Sequence, residues 1–264
     1  MLSGLIHVVV WLVMGGDWEG PVSWRKPILF GFSTGMTVLS IAWFFPKLRP
    51  GRWDSLLCGL FGAAMVAEVG LITLQAWRGE ASHFNHSTAV NSLIENWMTY
   101  LIVFATLALM EFTRRCHLRL DASSDMRLAI RGGMAFLILS CLIGFFILFY
   151  GSSQASKGAD PSTFGEAGVM KFPHGVAIHA IQFFPFVCWI LHKIGIPSGR
   201  RTRIVGYLIA STSMFLLFSL VQTLNGRARY DLTVSGSLLL IAASACLLPV
   251  LGELVGFKMP KRGR

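Results

Sequence analysis

Apolar positions along this chain gather into long unbroken runs rather than alternating with polar ones, and this pattern predicts membrane-spanning helices. The runs place spans at about Leu2 to Met14, Pro27 to Pro46, Leu56 to Trp77 and Glu95 to Phe112. Four more follow at Met134 to Tyr150, His174 to Leu191, Ile204 to Val221 and Leu232 to Val255. The expected fold is all-α, a polytopic helical bundle of about eight transmembrane helices, with residues 1–264 forming a single integral membrane domain. The first run is the shortest: 13 residues of helix reach about 20 Å, against about 30 Å of hydrocarbon, so partial insertion or local thinning is expected there. No Lys or Arg precedes this run and no small-x-small site follows it, unlike a cleaved signal.

Composition agrees with the class, with 54% hydrophobic and 14% charged residues and a mean hydropathy of +0.61. Charge then orients the chain. With the N-terminus cytoplasmic, sixteen basic residues fall inside, in the groups Lys47 to Arg52, Arg114 to Arg131, Lys193 to Arg203 and Lys258 to Arg264; seven, including Arg25, Arg78 and Arg227, fall outside. The positive-inside rule therefore predicts both termini in the cytoplasm. The net charge of +10 is divided among short loops, which argues against nucleic acid as a partner and leaves the lipid bilayer. Cys58, Cys116, Cys141, Cys188 and Cys246 stand alone, as expected for buried small hydrophobes.

An internal echo suggests two halves, 1–126 and 127–264. Gln75-Ala-Trp-Arg78-Gly79-Glu-Ala81-Ser-His83 recurs 147 residues later as Gln222-Thr-Leu-Asn225-Gly226-Arg-Ala228-Arg-Tyr230. The inner loops Arg49 to Arg52 and Pro197 to Arg201 also correspond. Four spans separate the copies, so two parallel four-helix repeats are expected, with chance likeness among Gly-rich helix ends as the competing account. Gly31-x-x-x-Gly35 and Gly59, Gly62 and Gly70 predict close helix packing.

The polar residues inside the spans point to a site. At about 1.5 Å per residue, His7 lies about 12 Å, Glu68 about 15 Å, His179 about 7 Å and Gln182 about 12 Å from the outer ends of their helices. Glu68 and Gln75 share a face of the third span, with Arg78 just above. An ionisable Glu68 in hydrocarbon is costly, which makes it a functional candidate; a protonated carboxyl bonded to a neighbouring helix is the plainer account. His7 also reads as a packed, hydrogen-bonded histidine. His174 and His179 are about 140° apart in helical projection, unlike a chelating i, i+4 pair, and are expected to flank one cavity or to ligate from different directions. His83 and His86 in the following loop either share a metal on a turn or lie in a solvated interfacial loop. Glu95 reads as a helix N-terminal charge. The Trp18 to Pro27 loop reads as an interfacial cap or a lid.

These motifs resemble a family of bacterial polytopic integral membrane proteins. Its marks are a His in the first span, Glu followed by Gln-x-x-Arg-Gly and Ser-His-Phe-Asn, and His-x4-His-Ala-x-Gln-x-x-Pro. Here they are His7, Glu68, Gln75 to Gly79, Ser82 to Asn85 and His174 to Pro185. The resemblance implies that His83 belongs with the site more than His86, and it carries no activity with it.

Two function classes follow. The favoured one is a haem- or metal-dependent membrane oxidoreductase or electron carrier acting on a lipid-soluble substrate or quinone. In it His7, His174 and His179 bind the cofactor (haem, or Zn, Fe or Cu with His83, His174 and His179), while Glu68, Gln75, Arg78 and Gln182 serve the chemistry. Two four-helix halves look like haem A synthase in architecture, without its Glu-x-x-His-Arg pattern. A zinc-dependent lipid hydrolase is the lesser variant. The second class is a proton-coupled transporter, and a structural or sensory subunit is a third. No phosphate-cradling loop or nucleophile elbow is present in the sequence.

Overall fold

Hydrocarbon offers no partner for a backbone N–H or C=O, so a chain this apolar is driven into helices, which satisfy their own ladders. The computed structural model describes residues Met1–Val255; Lys258, Lys261, Arg262 and Arg264, counted above as inner charges, lie outside the described residues. The fold is all-α apart from one short hairpin. Its helices are α1 (Leu2–Met14), α2 (Arg25–Phe44), α3 (Asp54–Trp77), α4 (Ala89–Arg119), α5 (Ser124–Ala155), α6 (Lys171–Ile178), α7 (Ala180–Lys193), α8 (Ser198–Leu224), α9 (Val234–Ala245) and α10 (Leu248–Val255). Seven segments are long and apolar enough to cross a membrane, with α6–α7 and α9–α10 each counting as one interrupted span; α1 is shorter. Helices α4 and α5 run well past their apolar stretches, because hydropathy marks only the part bathed in lipid and the flanking Arg, Glu and Ala are good helix formers.

The chain divides into two units, Met1–Arg114 and Arg115–Arg264, with the boundary inside α4. In the first unit α2 lies between α1 and α3. Gly31 brings the α1 and α2 backbones together: a Cβ built there would stand 2.6 Å from the Gly4 nitrogen, and one at Gly35 would meet Met1. By contrast Gly59, Gly62 and Gly70 face open space, so the close packing expected of them is absent. Those three lie along α3 where no helix approaches closely enough to need them.

In the second unit α5 packs along α6 and α7, with Gly133 against the Ile181 backbone. The hairpin, β1 (Thr163–Phe164) paired antiparallel with β2 (Gly168–Val169), docks on the C-terminal corner of α8. There the Ala167 amide donates to the Gly226 carbonyl at 2.8 Å, and Gly168 leaves no room for a Cβ, which would collide with the Thr223 carbonyl oxygen. At the other end a buried ion pair ties α5 to α8. Asp125 (1% exposed) accepts from Arg201 (8%), whose other nitrogen donates to the Ile196 carbonyl. Arg131 donates to the Cys116 and His117 carbonyls at the end of α4, where a cation complements the helix dipole. Among the described residues the five cysteines form no disulfide.

Two consequences can be measured by denaturation of the protein in detergent. Gly31→Ala is expected to cost about 1–3 kcal/mol through overpacking, whereas Gly70→Ala is neutral or stabilises by up to about 1 kcal/mol through helix propensity. Arg201→Met strands a buried carboxylate and is expected to cost about 3–5 kcal/mol, much of it recovered when Asp125 is also replaced by Leu.

Candidate functional site

The polar side chains singled out from the sequence fall into two sets, one in each unit. In the first unit, the end of α3 carries Gln75, whose side chain is 1% exposed. Its Nε2 donates to the Ala81 carbonyl (3.3 Å) and to Asn91 Oδ1 (3.2 Å), and its Oε1 accepts from Arg78, which also reaches Asn91 Oδ1 at 3.1 Å. Asn91 in turn donates to Glu80, and so does Asn85. Gln75 and Arg78, expected to act on a substrate, are thus committed to holding the 78–91 loop in place. Glu95 is not a first-turn charge, because α4 begins at Ala89. Its carboxylate instead accepts the backbone amides of Phe84 (2.8 Å) and Asn85 (2.9 Å), which holds Phe84 at a φ of 59°, a conformation that needs such support.

The histidines of this unit are separated by their partners. His7 is buried and doubly bonded: Trp77 Nε1–H donates to its Nε2 at 3.0 Å, and its Nδ1–H donates to the Ser3 carbonyl at 2.7 Å. It rests against the rings of Trp24 and Trp77, so the Trp18 to Pro27 loop contributes packing over α1. His83 lies 2.8 Å from Ser82 Oγ and stacks on Phe30, while His86 faces Glu95 at 3.4 Å. His83 and His86 therefore turn to different neighbours. Glu68, midway along α3, is 6% exposed, and its Oε2 has no hydrogen-bond partner.

In the second unit the α8 corner reproduces the α3 corner. Gln222 (1% exposed) donates through Nε2 to the Ala228 carbonyl at 3.2 Å, six residues on, as Gln75 does to Ala81. Gly226 and Gly79 share positive φ values of 66° and 68°, and the amides of Arg227 and Glu80 close back on the Gln222 and Gln75 carbonyls. The sequence echo is therefore a shared way of ending a helix. Where Arg78 serves Gln75, Asn225 bonds the Val221 carbonyl instead, and Gln222 Oε1 is buried with no partner.

His174 locks α6 to α5: its Nδ1–H donates to the Ser140 carbonyl at 2.9 Å, while Ser140 Oγ donates back to the His174 carbonyl at 3.1 Å. This fixes the tautomer with Nε2 as the acceptor nitrogen. His179 sits at the interruption between α6 and α7, with φ −92° and ψ 0°, six residues before Pro185, the helix-interior proline that leaves the Ile181 carbonyl without its usual partner. Its exposed imidazole lines a groove of about 520 Å³ between α7, α8 and α9, whose walls include Phe183, Thr212, Phe215, Ser244 and Leu247. Gln182 is half-buried and does not line it. No sequence signal marks Asn91, Asp125 or Arg201 as buried partners, nor the half-buried Glu80 as one; only the fold reveals them.

A metal site needs converging ligands, and among the described residues the histidines singled out from the sequence do not converge on one point. Both nitrogens of His7 are occupied, His83 and His86 diverge, and His174 faces α5 whereas His179 faces the groove. Among the described residues no three His, Cys, Asp or Glu side chains gather where they could hold one metal ion.

If the glutamine corners hold the fold rather than a substrate, Gln75→Leu and Gln222→Leu should each lower stability, by about 1–3 kcal/mol for the polar groups left unpaired, read from thermal unfolding in detergent. Gln75→Leu is expected to be the costlier, since it strands Arg78 and Asn91 together. In comparison with known proteins, no protein-family model matches the chain, and no curated protein or solved structure matches it either.

Proposed function

We propose that the chain is a multi-pass protein of the bacterial inner membrane that binds a lipid-soluble molecule with a hydrogen-bonding head, of the quinone type, in the groove at His179. The observation that carries this reading is the helix interruption at His179 inside the Lys171–Lys193 span. Irregular backbone at membrane depth is tolerated where it lines a cavity or is covered by protein, and discontinuous helices mark many binding sites in membrane proteins. The interruption lines such a cavity, and it places an exposed imidazole there.

The chemistry of the walls favours this ligand class. Phe183, Phe215 and Leu247 offer apolar and aromatic surface for a ring or an isoprenoid tail, and exposed Phe183 leaves the groove open sideways, where a ligand dissolved in the bilayer would enter. His179 can donate or accept, as a carbonyl or hydroxyl head requires. An oxidoreductase or electron carrier is the activity this ligand would serve, with His174 Nε2 the nitrogen best prepared to meet a metal or haem.

A transporter is the second reading, favoured by the same interruption, because broken helices also form carrier sites. Both termini cytoplasmic is the proposed orientation.

Binding of a short-chain ubiquinone analogue to the protein in lipid nanodiscs tests the proposal. His179→Phe is expected to weaken binding about tenfold, the worth of one hydrogen bond of about 1.4 kcal/mol, with an unchanged melting temperature. Binding that is absent, or indifferent to His179→Phe, would sink it. An absorption spectrum and elemental analysis of the same sample test the cofactor: a Soret band or near-stoichiometric metal lost in His174→Ala would support a haem- or metal-dependent enzyme.

A further inference from the structure

Glu68 lies at about mid-depth of the Asp54–Trp77 helix, and its Oε2 is buried without a hydrogen-bond partner. Burial of an unpartnered carboxylate oxygen disfavours the charged form, whereas the neutral acid carries its own donor. The cations of the surrounding elements are engaged elsewhere. On α2, Arg25 pairs with Glu19 and Lys26 reaches Ser82; beyond α3, Arg78 holds Gln75 and Asn91. On α4, Glu95 binds the 84–85 amides and Arg114 pairs with Glu111, and His7 on α1 is bonded to Trp77.

The same face of α3 continues from Glu68 through Ile72 to Gln75, one turn at a time. Ile72 is fully buried and forms a compact apolar cluster with Ile94 and Met98, which follow Asn91 at one and two turns along α4. Thus a fully satisfied polar network around Gln75 and Asn91 lies on one side of the cluster and Glu68 on the other. Nothing polar among Ile72, Ile94 and Met98 could carry a proton between them.

We propose that Glu68 is a proton-binding site whose proton exchanges with the aqueous phase beyond Gln75 and Asn91, and that Ile72, Ile94 and Met98 form the seal limiting that exchange. The bound species is the proton: a metal cation needs several converging donors, and among the described residues no three His, Cys, Asp or Glu side chains gather at Glu68. The site is independent of the groove at His179, so each stands or falls by its own experiment.

Infrared spectroscopy of the full-length protein in lipid reads the acid directly, through the carbonyl stretch of a neutral carboxyl. The expected result is a band at neutral pH that is missing in Glu68→Gln, shifts slowly in D2O and fades as pH rises. Ile72→Ala should speed the D2O shift at least severalfold, while Leu74→Ala, on the exposed side of the same helix, leaves it unchanged. Identical wild-type and Glu68→Gln spectra would mean an ionised carboxylate and would overturn the site. A Glu68 band indifferent to D2O would overturn exchange, and a rate unaltered in Ile72→Ala would overturn the seal. Should Glu68→Gln not fold, Glu68→Asp, which moves the band, provides the same assignment.

Discussion

Hydrocarbon cannot hydrogen-bond, and this constraint organises the protein. Each polar group carried into the bundle has to find its partner within the chain. His7 does so through Trp77 and Ser3, His174 through Ser140, and Asp125 through Arg201. These bonds link neighbouring helices, so the requirement to satisfy a side chain also fixes which helices lie together. Against that background the groups left without partners stand out. Glu68 Oε2, buried in the first unit, is the one to which a functional proposal attaches; the other proposal attaches to His179, exposed on the groove of the second unit.

The recurrence of one helix ending in both units follows from the same need. The last carbonyls of a long helix lack intrahelical donors, and the chain must turn sharply while covering them. A buried glutamine that reaches six residues ahead and a glycine at positive φ accomplish both, at Gln75 with Gly79 and at Gln222 with Gly226. The corners then diverge. Arg78 extends the first into a network with Asn91, Glu80 and Asn85, which orders a long loop by charge-assisted bonds. The second has Asn225 in place of the arginine, and its cover is the hairpin docked through backbone contacts at Gly168 and Gly226.

The interruption of the sixth span has a comparable logic. Proline at 185 deprives the helix of one bond, and the backbone just before it departs from helical geometry where α8 and α9 leave a groove. A break of this kind in contact with lipid would be costly, and here it lies beside a groove instead.

Hydrophobic run length alone was enough to reveal the spans, since a membrane imposes one requirement that every window of sequence must meet. The sequence echo between Gln75 and Gln222 was legible for a similar reason, because a helix ending is built from residues adjacent in the chain. What each polar side chain touches was not. Gly31 and Gly70 are the same residue in the same kind of helix, yet one lies against another backbone and the other faces open space. His83 and His86, three residues apart, turn to Phe30 and Glu95. Partners such as Asn91 for Gln75 or Ser140 for His174 come from other helices. Helix formation is decided locally by hydropathy and the backbone ladder, whereas the rotation of one helix about its axis against its neighbours is decided by packing, and only the tertiary structure contains it.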